Sequence, residues 1–143
     1  MAANKKAERF ATFTMAVPAA VNISSGQPLS FGHGTHVAAC VAIEAQNTTD
    51  PTSDPNSGYL TLDFEGVYNL TVVAETLGSV SAGAAVNVGD PLYLSGGTFD
   101  KTTGITYGGT LCCDANGDFF GLAMAPLAAG ATGIIPVLLK NAC

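Results

Sequence analysis

The sequence has little charge and no tryptophan. Only 11% of its 143 residues are Asp, Glu, Lys or Arg, against roughly 25% in an average soluble domain. A chain so poor in charge must surface itself with Ser, Thr, Asn and Gly, or have much of its surface covered by partners. Basic residues are scarcest. There are five in all, and Lys5, Lys6 and Arg9 are three of them. Beyond Arg9 only Lys101 and Lys140 stand against ten acids, leaving the body at about −8. That balance excludes nucleic-acid binding, which requires phosphate-neutralising charge. No run of 18 apolar residues marks a membrane span. Residues 1–17 lack the continuous apolar core of a secretory signal. The sequons at Asn22, Asn47 and Asn69 are therefore expected to be silent, and Cys40, Cys112, Cys113 and Cys143 to be free thiols in a reducing compartment. A long amphipathic helix is also missing.

What remains is a succession of short apolar runs and turn signals. Residues 1–17 read as an arm, polar and basic at first and then carrying Phe10 and Phe13; it either packs on the body or orders on a partner. Residues 18–143 read as one β domain. Val37, Val41 and Ile43 mark a strand face within residues 36–45. Leu60, Leu62 and Phe64 alternate within Tyr59-Leu60-Thr61-Leu62-Asp63-Phe64, and residues 67–75 continue the pattern. A polar loop over residues 47–58, with Asp50-Pro51 and Asp54-Pro55, is too turn-rich for regular structure and long enough to be functional or mobile. Leu92-Tyr93-Leu94 is a short strand after Gly89-Asp90-Pro91. Asn116-Gly117 between two β-compatible runs signals a hairpin. Pro136 within residues 134–139 suggests an edge strand or a bulge. Residues 82–85 or 127–131 have the composition of a short helical turn. Many short strands separated by turns indicate a compact β-barrel or β-sandwich of antiparallel strands with an extended N-terminal arm.

Four patterns resemble chemistry and fall short of it. His33-Gly34-Thr35-His36-Val37 resembles the histidine motif of subtilisin-like proteases, and Thr14-Met15-Ala16-Val17-Pro18 their nucleophile motif. The nucleophilic serine is missing, the fragment precedes the histidine, and no aspartate precedes Asp50. A turn entering a strand accounts for the histidines. Read as i and i+3 of one strand, His33 and His36 point to opposite faces and chelate poorly. Asp114-Ala115-Asn116-Gly117-Asp118 begins like a calcium loop, but Phe119 and Ala125 stand where that loop needs glycine and glutamate. Asp63 and Glu65 form the nearest acid pair, read as a solvated strand face. The sequence thus points to no catalysis, no cofactor and no metal.

Residues 29–139 resemble a family of small tailed-phage proteins, the capsid cement or decoration proteins. The resemblance is carried by Phe64-Glu65-Gly66-Val67-Tyr68 and by Val86-Asn87-Val88-Gly89-Asp90-Pro91-Leu92-Tyr93-Leu94. Toward the end it is carried by Gly121-Leu122-Ala123-Met124-Ala125, Ala128-Ala129-Gly130 and Ile135-Pro136-Val137-Leu138-Leu139. It implies a β body, frequently trimeric, that binds the major capsid protein on the outside of the virion and catalyses nothing. The resemblance supplies no site for the arm; from its own residues, a basic segment with two aromatic anchors that can order on a neighbouring subunit, Lys5, Lys6, Arg9, Phe10 and Phe13 are the expected partner contacts. The alternatives are another phage structural subunit, of the tail or head-completion class, and a host-surface or carbohydrate-binding β module. The last needs aromatic residues exposed together, whereas most are expected to serve the core.

Overall fold

The computed structural model describes residues 12–16, 23–44, 59–75 and 83–140. Among them are eleven strands and no helix, so the chain is all-β. Five strands close into a barrel in the order β10 (Asp118–Ala123), β11 (Thr132–Leu139), β5 (Val67–Val73), β9 (Thr110–Cys112) and β6 (Pro91–Ser95). The other six form a sheet in the order β1 (Thr12–Ala16), β4 (Tyr59–Asp63), β3 (His36–Glu44), β2 (Pro28–His33), β8 (Ile105–Tyr107) and β7 (Thr98–Asp100). The expectation of antiparallel strands holds at every pairing but one: β5 and β9 run parallel.

Alternation sets the two interiors. Successive side chains of a strand point to opposite faces, so Leu70 and Val72 of β5, Leu92 and Leu94 of β6, and Ile135, Val137 and Leu139 of β11 all turn into the barrel. Leu111, Phe120 and Ala123 complete a packed interior, as in other narrow barrels. A second cluster lies against the sheet, built from Ile23, Leu29, Leu60, Leu62 and Ile105. Strand β3 serves both. Its Ala39 and Val41 join the barrel cluster, while Cys40 and Ala42 join the other. The single apolar face read from Val37, Val41 and Ile43 is thus replaced by a strand buried on both sides over residues 39–42.

Several sequence expectations change. The segment read as an arm supplies β1, paired with β4 from Thr12↔Asp63 to Ala16↔Tyr59; residues 1–11 lie outside the described ones, as does the 47–58 loop. Asn116-Gly117 does not join paired strands. β9 and β10 both pair with β6, on its two sides, so the turn crosses the end of β6. The Gly117 amide closes it onto the Asp114 carbonyl, and the Asp114 carboxylate accepts from the amide and side chain of Asn116. Glycine is needed at 117 for space: a Cβ would lie 2.6 Å from the Leu94 carbonyl oxygen and from Ser95 Oγ. Pro136 sits at neither an edge nor a bulge, since β11 pairs with β10 on one side and β5 on the other. Its carbonyl accepts from the Met124 amide, but without an N–H of its own it returns no bond, and the β10–β11 ladder stops at Ala123↔Val137. Leu127 forms a bridge with Val86 instead of opening a helical turn, and of residues 82–85 the described 83–85 are not helical. Asp63 is not merely solvated, because it accepts from the Tyr68 hydroxyl and the Glu65 amide.

Burial also fixes how the fold responds to alkali. The Cys40 thiol lies in the second cluster, donates to the Leu29 carbonyl, and is pushed up from 9.0 to about 12 by desolvation. Burial, with its bond to Asp63, raises the Tyr68 hydroxyl from 10.0 to about 12. Both groups favour the folded state while neutral. Their contributions are complete below the unfolded values and are lost as pH climbs through the folded ones. The melting temperature should therefore fall as pH rises from about 9 toward 12. Cys40→Ala should flatten that slope in a pH series of thermal melts. An unchanged slope would show that Cys40 ionises as freely in the folded chain as in the unfolded one.

Candidate functional site

Among the described residues several chemistry-bearing side chains are held in structural contacts. His33 and His36 flank a two-residue hairpin turn, Gly34-Thr35, and pair directly across it. They are therefore not i and i+3 of one strand, and the argument from opposite faces does not apply. The His33 ring packs on Phe99 at 4.9 Å, and His36 is exposed. The protease-like motif is a hairpin end. Asp114 caps its own turn, and Asp118 accepts from the buried Ser30 hydroxyl at 3.2 Å. No three of His, Cys, Asp and Glu gather as a metal site among the described residues. Cys40, Cys112 and Cys113 are free. Burial raises the Cys113 thiol, helped by Cys112 and Asp90, so it is held away from the reactive thiolate form.

Two surfaces remain. The first is the outer face of the barrel. Cross-strand registers place Pro91, Leu122, Leu138 and Val67 in one row over β6, β10, β11 and β5. Beside it Met124 bonds to Pro136, and Ile134 lies opposite Thr71. Val67, Met124 and Ile134 are exposed by 54%, 46% and 71%. Val88, exposed by 64%, adjoins them through the Gly89 amide bond to Ala123. Strands β5, β6 and β11 contain no charged residue. Contiguous exposed apolar surface of this kind marks an interaction site.

The second is an open groove of about 600 Å³ between the β2–β3 hairpin and the start of β10, walled by Phe31, Val37 and Phe119, with Asp118 and His36 as its ionisable groups. Phe120 is fully buried, and Phe64, Tyr68 and Tyr107 pack half-buried against the two clusters, so these aromatics serve the core while Phe31 and Phe119 line the groove. Phe31 is 36% exposed and touches Phe64 edge to face, and Phe119 stands against Tyr93.

Of the contacts named from sequence, Lys5, Lys6, Arg9 and Phe10 lie outside the described residues, and Phe13 lies in β1 opposite Leu62. Sequence reading missed the barrel face, although its signal was present. β11 reads Thr-Gly-Ile-Ile-Pro-Val-Leu-Leu, apolar at both parities, which is the mark of a strand with two apolar faces. Compared with protein-family models, with curated proteins and with solved structures, the chain matches none.

Proposed function

We propose that this chain is a non-enzymatic structural protein of a virion, a cement or decoration protein that binds the major capsid protein on the outside of a tailed-phage shell. The observation that carries the reading is the apolar outer face over β5, β6 and β11, three strands without a charged residue, on or beside which Val67, Met124 and Ile134 are exposed. A face without charge docks on a repeating protein surface with no ionic desolvation to overcome. It also suits a symmetric oligomer, a trimer in this proposal, whose copies engage several lattice sites together.

Co-sedimentation with capsid shells that lack the protein, before and after expansion, tests the proposal. Saturable binding to expanded shells at a copy number set by the lattice is the expected outcome. Ile134→Asp together with Val67→Asp places two carboxylates on the docking face while leaving both interiors intact. Affinity should drop by at least about a hundred-fold, the effect of truncating or charging a central anchor. Binding unaffected by both substitutions would remove the barrel face from the interface. No binding to any shell would remove the capsid role.

A further inference from the structure

The Asn116-Gly117 turn carries a chemistry that neither surface uses. It is the chain's single Asn-Gly step. In such a step the glycine nitrogen can attack the asparagine side-chain carbon, because glycine brings no Cβ to block the approach and its backbone turns freely. The N–Cγ bond forms, the Cγ–Nδ2 bond breaks, and ammonia leaves carrying the proton of the glycine amide. Water then opens the succinimide ring. Cleavage of the new N–Cγ bond gives aspartate. Cleavage of the original N–C bond gives isoaspartate, with the main chain routed through the side chain. Asn116 is exposed, so water reaches it.

The turn opposes the first step. Asn116 Nδ2 donates to Asp114 Oδ1 at 2.9 Å, and the Asn116 amide donates to the same oxygen at 3.0 Å. The Gly117 amide donates to the Asp114 carbonyl at 3.1 Å. Nucleophile and leaving group are thus both tied to one residue, which is itself buried. The Asp114 carboxylate also disfavours the negative charge that attack builds on the Gly117 nitrogen and the Asn116 side-chain oxygen. We propose that Asn116 is a modification site, losing its amide to give aspartate or isoaspartate, and that Asp114 keeps it closed while the turn is intact. Conversion is one-way. A new carboxylate replaces the amide that donated to Asp114, and two like charges meet. Isoaspartate also adds an atom to the main chain beside Gly117, where even a Cβ would lie 2.6 Å from the Leu94 carbonyl oxygen. Asp118 follows directly, and its bond to Ser30 joins β10 of the barrel to β2 of the sheet. The modification therefore loosens the seam between barrel and sheet. It is independent of the capsid reading, because it requires no shell.

Peptide mapping by mass spectrometry tests it, on the full-length chain incubated at mildly alkaline pH beside a free peptide of residues 114–119. Residue 116 of the folded chain should convert about a hundred-fold more slowly than the peptide, the combined effect of one charge-assisted and one backbone hydrogen bond. In urea beyond the unfolding transition the chain should convert at the peptide's rate. Asp114→Asn keeps the shape of the side chain and removes its charge, and should convert about ten-fold faster than wild type. A thermal melt of that variant separates loss of the guard from loss of the fold. The wild-type comparisons decide the proposal even where Asp114→Asn fails to fold. Equal rates in the folded chain and the peptide would overturn the guarding by the turn. A folded Asp114→Asn that converts no faster would remove the carboxylate from that role. Asparagine persisting at 116 in urea would overturn the site itself.

Discussion

Phe120→Ala should lower the unfolding free energy by about 3–5 kcal/mol, the range for deleting a buried aromatic. Phe120 is the extra residue of a β-bulge. Phe119 pairs with Tyr93 and Gly121 with Leu92, so nothing on β6 stands opposite it. Bulges re-aim a side chain, and this one turns the ring into the barrel, where it is fully buried. The neighbouring Gly121 carries no side chain to share the space. The hole left by alanine therefore opens among Leu92, Leu94 and Val137, which are held by their own ladders and cannot collapse far. Phe120→Leu refills most of that volume and should lose much less. Guanidinium unfolding read at two wavelengths measures both. A loss under about 1 kcal/mol for the alanine variant would mean that the ring does not fill the barrel.

Gly32→Ala should be comparably severe, on the order of 3–5 kcal/mol, from two costs that add. The residue sits at φ +123°, a conformation that L side chains rarely adopt. An added Cβ would also lie 2.1 Å from the His36 carbonyl oxygen, on the partner strand of the same hairpin. Backbone oxygen cannot swing aside as a side chain tip can, so the hairpin must open. Gly26→Ala is the control. It shares a positive φ, +82°, but has nothing within 4 Å of an added Cβ, and should lose only about 1–2 kcal/mol to backbone strain. Equal losses at the two positions would show that the His36 carbonyl yields.

Much of the strand content was legible in local pattern. Leu60 and Leu62 announced an inward face through period-two alternation, which residues 67–75 continued with Leu70 and Val72, and both pairs are buried. Pairing was not legible, because it is settled between segments far apart in the chain. Asn116-Gly117 carried the composition of a hairpin, yet β6, some twenty residues earlier, inserts between the strands it joins. The parallel contact of β5 with β9 has no local signature either. His33 and His36 were misplaced for a related reason. A two-residue turn between them converts i and i+3 into opposed neighbours; the stretch was read as a turn entering a strand, but the chelation argument set both histidines on one strand. Of the candidate surfaces, the apolar barrel face was written in β11 and overlooked. The groove was not readable at all, since it is lined by residues 31–38 and 117–119, which only the packing of β10 beside the β2–β3 hairpin brings together.

The place of β11 in the barrel sets a schedule for synthesis. Thr132–Leu139 lies between β10 and β5, joining a strand made just before it to one made some sixty residues earlier. Until β11 leaves the ribosome, β5 presents Leu70 and Val72 to solvent and lacks its antiparallel partner. The nascent chain cannot bank a finished barrel stepwise, as a repeat protein banks its modules. It closes at one moment, after release of the closing strand, and that interval is when the chain most needs a chaperone.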